Sequence, residues 1–198
     1  MARMTAYERR VRLLEAAERV MSRQGVAAGT TRAIAGEAQM PLSVFHYCFQ
    51  SRDQLVGELI RRLGSAEREA VWAGITPSSD LREVLASAAD AYLAHLIADP
   101  GQEQMLFELN HYALRTPGME HLAAEQMAMY VASARAVLDR VAELTGARWL
   151  LDVDSLARLV VTVTDGVTTT WLADRDTEAS RATLHRLLEL VATYAVAD

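Results

Sequence analysis

The sequence predicts an all-α protein of about nine helices: a three-helix N-terminal domain over residues 1–50 and a larger helical domain over 51–198. Three observations carry this reading. Ala, Leu, Arg and Glu, all good helix formers, dominate the chain. The four prolines, Pro41, Pro77, Pro100 and Pro117, all fall at breaks in the apolar periodicity. Apolar residues return at steps of three and four, and no run alternates apolar with polar residues, so no strand is expected.

From about Ala6 to Gln24, Val11, Leu13, Leu14, Ala17, Val20 and Met21 recur at helical spacing, and Gly25 suits a helix C-terminus. Thr30 or Thr31 can cap a short second helix reaching Ala38. A third helix begins at Pro41, tolerated because a first-turn amide has no partner anyway, and runs only to about Phe49. Ser51 with Gln54 three residues on forms a capping box for a fourth helix reaching about Ala73. After the loop "GITPSSD", helices are expected over about Ser79–Ala98, Gln102–Arg115, Met119–Leu144, Val153–Ala173 and Thr177–Val196. No fixed-period repeat interrupts this order.

The chain has 198 residues, 51% of them hydrophobic, enough for a substantial core. No stretch approaches the length of apolar chain a transmembrane helix needs, and Met1–Arg12 is charged without an apolar signal core. A cytoplasmic protein with no membrane partner is expected. Cys48 is the single cysteine, which excludes an intrachain disulfide or a cysteine-built metal cage. The net charge of −6 is unevenly distributed. Residues 1–56 carry eight Arg against five acids, whereas 57–198 carry twelve Arg against twenty-one. The basic segment can face phosphates while the acidic remainder stays away. All twenty basic residues are Arg.

The stretch "GEAQMPLSVFHYCFQSRDQL", residues 36–55, poses the functional question. Two short helices joined by a tight turn suit a helix-turn-helix, whose second helix enters the DNA major groove. Ile34, Ala35 and Ala38 form the inner face of the first short helix. Met40, Val44, Phe45 and Phe49 pack on it from the second. Ser43, His46 and Tyr47 then point outward, with Leu42 opening the segment that lies against base edges. Thr31 and Arg32, at the start of the preceding helix, and Arg52, at the start of the following one, are placed to hold phosphate.

The run "LLEAAERVMSRQGVAAGTTRAIAGEAQMPLSVFHYCFQSRDQLVGEL", Leu13–Leu59, resembles the N-terminal domain of the TetR family of transcriptional regulators. The family's apolar first helix, glycine, Thr-Thr start, Ile-Ala, turn, aromatic-ended short helix and following charged cap read here as Gly25, Thr30-Thr31, Ile34-Ala35, Phe49 and Ser51-Arg52-Asp53-Gln54-Leu55. Four positions depart from the pattern. The turn glycine is Gln39, an aromatic that commonly meets phosphate is His46 with Tyr47 beside it, the His before the final Phe is Cys48, and the usual Lys is Arg52. The resemblance implies a homodimer on palindromic double-stranded operator DNA, a small-molecule effector bound in the second domain, and repression as the commoner outcome.

The last two helices carry apolar stripes able to form a four-helix contact between subunits: Leu156, Val160, Val163 and Val167 on one, Leu184, Leu188 and Val191 on the other. The other reading of these stripes is that they face the chain's own core. For the pocket that the resemblance implies, the mixed apolar and polar residues of the middle helices are the candidates: Met105, Phe107, Asn110, His111, Met127, Tyr130, Asp165, Thr168 and Trp171. They suit a mostly apolar ligand with a polar group. No cofactor is expected. An enzyme is disfavoured: His121 with Glu125, and Glu108 with His111, have helical metal-ligand spacing but no further ligands, and neither a nucleophile elbow nor a phosphate loop is present. The remaining alternative is a helical small-molecule carrier or interaction module that no longer binds DNA.

Overall fold

The computed structural model describes residues 4–197, with the side chains of 64–68, 70 and 197 left aside. The fold is all-α with an N-terminal helix-turn-helix. The helices are α1 (Ala6–Gln24), α2 (Thr31–Glu37), α3 (Leu42–Cys48), α4 (Arg52–Gly74), α5 (Leu81–Ala98), α6 (Pro100–Arg115), α7 (Glu120–Thr145), α8 (Val153–Asp174) and α9 (Thr177–Thr193), with a 3₁₀ turn at Val26–Ala28. Compact packing groups residues up to Leu63 with Gly101–Gln126 in a first unit, and Gly64–Pro100 with Met127 onward in a second. In the first unit, α6 and the start of α4 complete the core.

Local chemistry sets the boundaries. Thr5 and Glu8 form a reciprocal capping box at the start of α1, the Thr5 hydroxyl accepting from the Glu8 amide and the Glu8 carboxylate from the Thr5 amide. Gly25 ends that helix at φ 83°, a conformation L side chains rarely adopt, and its amide donates to Met21 O at 2.9 Å. Thr30, rather than Thr31, caps α2, its hydroxyl accepting from the Ala33 amide at 3.1 Å. At α4 the Ser51 hydroxyl accepts from the Gln54 amide as expected, but the Gln54 side chain accepts from the amide of Gln50 at 2.8 Å, not from that of Ser51. Asp80, Asp152 and Asp176 cap α5, α8 and α9.

The expectation of no strand is corrected. After Thr193 the chain leaves the helix and forms β2 (Ala195–Ala197), antiparallel to β1 (Ala147–Trp149), with Arg148 opposite Val196. Three-residue strands show no alternating period, so nothing in the pattern marked them. Trp149 closes this corner, its indole N–H donating to Leu138 O at 3.2 Å.

Leu13, Met21, Ile34, Phe45, Phe49, Leu55, Leu59 and Leu109 lie in the core of the first unit. In the second unit, α9 packs on both α5 and α8. Val84, Leu138, Val141, Leu156 and Leu187 form one apolar cluster, and Leu93, Leu96, Val167, Trp171 and Leu184 another.

Candidate functional site

The α2–turn–α3 segment presents a small exposed surface on a rigid support. Phe45 and Phe49 are buried, their ring centroids 5.6 Å apart, and they fix the inner side of α3. Ser43, His46 and Tyr47 are left facing out, Tyr47 at 73% exposure. Arg32 is exposed at the start of α2 with Thr31 half-buried beside it. Leu42 is only partly exposed and packs against the core, so its contribution to the outer face is smaller than its position suggested. The connecting turn places Gln39 at φ 55°, where the family pattern has glycine, so this chain holds an L residue in a left-handed conformation there.

Charged side chains brace this surface from behind. Arg10 is ion-paired with Glu58, donates to Cys48 O at the end of α3, and stacks 4.3 Å from the centroid of the Phe49 ring. Arg19 pairs with Glu37 of α2 at 2.7 Å. Arg52 was expected at phosphate, but its guanidinium is committed inward: Nε donates to Gly29 O at 2.8 Å and Nη2 to Val26 O at 2.6 Å. It also lies 4.8 Å from the centroid of the Tyr112 ring. From α6, Tyr112 donates to Asp53 at 2.8 Å and Glu108 accepts from the Val26 amide at 2.7 Å. Glu108 and Glu125, the residues with metal-ligand spacing, are thus engaged elsewhere, the latter with Arg61 at 2.8 Å.

The second unit holds a cavity of about 940 Å³, open solvent at its mouth included. Leu85, Tyr92, Tyr130, Leu138, Asp165 and Leu187 are among its walls, contributed by α5, α7, α8 and α9. Two of the sequence candidates, Tyr130 and Asp165, line it. Burial raises the Asp165 carboxyl above its ordinary pKa, and desolvation is the whole cause.

The other candidates lie elsewhere, for identifiable reasons. Met105 is buried in the core of the first unit, and Asn110 donates to Gln126 at 3.1 Å. His111 is exposed, and Phe107 and Met127 are half-buried away from the cavity. Thr168 sits behind the wall, hydrogen-bonded to the Tyr92 hydroxyl. Trp171 is core, its indole N–H donating to Thr177 at 3.1 Å. Sequence reasoning missed Tyr92 and the small and branched residues of α5 and α9, because only the choice of neighbouring helices decides which apolar face borders a void.

The apolar stripes of α8 and α9 face inward. Leu156, Val167, Leu184 and Val191 are buried within the chain, and Val160 and Leu188 line the cavity. Val163 is half-buried against the same core. These side chains are used to pack α8, α9 and α5 together. The outward faces carry Thr162, Gly166, Thr169 and Ala173 on α8 and Ala182, Arg186, Glu189 and Leu190 on α9.

Residues 13–59 match the family model described as bacterial regulatory proteins, tetR family. The chain is 26% identical over 172 residues to the HTH-type nicotine-responsive transcriptional repressor HdnoR of Paenarthrobacter nicotinovorans, covering 87% of this chain and 88% of that one. It is 28% identical to the multidrug binding protein EbrR in its crystal structure complexed with ethidium, with a TM-score of 0.69 over 91% of this chain and 98% of that one. A TetR-family regulator from Rhodococcus sp. shares the fold at a TM-score of 0.79 and 19% identity, over 93% and 98% of the two chains. The helix-turn-helix match and the agreement of fold along most of the chain lead to one conclusion: the chain is similar to bacterial transcriptional regulators of the TetR family.

Proposed function

We propose that the protein is a ligand-responsive repressor that binds palindromic operator DNA as a homodimer and is released by a small, mostly apolar effector. The observation that carries this is the outward presentation of Ser43, His46 and Tyr47 from a seven-residue helix anchored by two buried phenylalanines. A helix that short gains little from its own hydrogen bonds and is held by packing, so its outer side chains are free for recognition. Ser43, His46 and Tyr47 face base edges, and Thr31 and Arg32 hold phosphate. Residues 1–50 supply DNA binding, and residues 51–198 the effector site and the subunit contact. The protein acts in the cytoplasm; among the described residues no helix is long and apolar enough to cross a membrane.

Two copies on a two-fold axis double the contacts of a small reading head and match an inverted repeat. The outward faces of α8 and α9 make the subunit contact. At Gly166 an added Cβ would meet nothing within 4 Å, which leaves room for a partner helix to approach. The effector occupies the cavity of the second unit, in keeping with relatives described as nicotine-responsive and as multidrug binding. It favours a state in which α4 is shifted, with Leu55–Leu63 as the lever, and weakens operator binding by the difference in its affinities for the two states.

Selection of operator fragments from random DNA by the purified protein tests this reading. An inverted repeat with half-sites about one or two helical turns apart should emerge, bound by a dimer and weakened steeply by salt. Enrichment of no inverted repeat at low salt would favour the carrier alternative.

A further inference from the structure

The cavity is more selective than its apolar walls suggest. Most of its lining is aliphatic or aromatic, and its few hydroxyls are largely committed. Tyr92 donates to Thr164 O at 3.1 Å and is hydrogen-bonded to Thr168. Ser133 donates to Met129 O at 2.9 Å, and Thr164 to Val160 O and Val161 O at 3.1 and 3.0 Å. Asp165 differs. Among the described residues it is the only Asp, Glu, Arg or His on the wall, and no hydrogen bond or ion pair reaches its carboxylate. Its main-chain carbonyl accepts from Thr169, which leaves the side chain unengaged.

An ionised carboxylate beside apolar walls and without a partner carries a large desolvation cost. A neutral ligand entering the cavity would strip away its remaining water and leave the charge unmatched. An anionic ligand would add repulsion. A cation supplies the missing partner, and the phenol rings of Tyr92 and Tyr130 on the same wall add favourable ring faces.

We propose that the cavity takes an organic cation, an amine or quaternary ammonium on an apolar body, with Asp165 as its counter-charge. This rests on the cavity being the effector site. It adds the sign of the ligand's charge and the residue that reads it.

The test uses the full chain, wild type and Asp165→Asn, with the neutral dye N-phenyl-1-naphthylamine, which fluoresces in apolar surroundings. The dye is displaced either by 4-phenylbutyl-trimethylammonium or by the uncharged isostere with carbon in place of the quaternary nitrogen. In the wild type the cation should displace the dye at a concentration about tenfold below that of the isostere, the ratio equivalent to one desolvated ion pair of about 1.4 kcal/mol. Asp165→Asn should abolish the difference and bind the neutral dye at least as tightly as the wild type, since no unmatched charge remains, and Asp165→Glu should retain most of the difference. Equal displacement by the two compounds in the wild type, or a preference that survives Asp165→Asn, overturns the cation assignment while dye binding keeps the effector site. Absence of dye binding, or dye binding that persists when Leu187→Trp fills the cavity, overturns both.

Discussion

The two units use charge in opposite ways. In the first, Arg10, Arg19 and Arg52 are bound to carboxylates or carbonyls that fix the helix-turn-helix from behind, and they surround a core of buried apolar side chains. In the second, a void borders α5, α7, α8 and α9, and the carboxylate of Asp165 on its wall has no partner among the described residues. The surface proposed to meet a rigid duplex is backed by committed charges. A site that must accept a ligand is served by unfilled volume and an unmatched charge.

The largest expected effect separates the core of the first unit from the cavity wall of the second. Phe45 is 0% exposed, and Phe45→Ala should lower stability by about 3–5 kcal/mol, because the ring is lost and the surrounding core cannot collapse into its place. Val160→Ala enlarges a space that already exists and should cost only about 1 kcal/mol, the transfer term for a partly buried group. Urea unfolding followed by circular dichroism measures both. Equal costs would mean that Val160 faces packed atoms and not a cavity.

A smaller effect probes the bracing. Arg52→Ala removes two charge-assisted bonds to Gly29 O and Val26 O and should cost about 2 kcal/mol. Arg52→Lys should recover little of it, since one ammonium cannot fork to two carbonyls as a guanidinium does. If Arg52→Ala left the unfolding midpoint unchanged and weakened binding to all DNA sequences alike, Arg52 would be a phosphate contact after all.

Local signals were legible in the sequence and non-local ones were not. The α1 boundaries follow from its apolar spacing and Gly25, and the helix-turn-helix from Ile34, Ala35, Phe45 and Phe49 in order. Gln39 stood out as a turn residue where glycine belongs, and the backbone there is indeed left-handed. The Arg10–Glu58 pair, by contrast, spans 48 residues, and a surface arginine carries no mark of its partner. Apolar spacing showed that α8 and α9 each bury a stripe, but spacing cannot distinguish the chain's own core from a second copy. For the same reason Asp165 and Tyr130 were legible as polar groups on apolar helices, while most of the wall around them was not.

The smallest effect concerns Asp165 and runs against the usual behaviour of a carboxylate. Burial raises its pKa in the folded chain above the value it has when unfolded. Between the unfolded and the folded pKa the folded chain therefore binds more protons, so stability falls as pH rises through that window. Below the unfolded pKa both states are protonated and the group is neutral at no cost. Above the folded pKa the full cost of the buried charge is present. Asp165→Asn removes the charge while keeping the shape, so it should raise the midpoint of thermal unfolding at neutral pH. The gain should shrink as the solution is acidified through the carboxylate range, and an organic cation at equal concentration should raise the wild-type midpoint more than that of the variant. A variant less stable than wild type at neutral pH would show that the carboxylate is held by a favourable partner, and the contrast between the two units would then disappear.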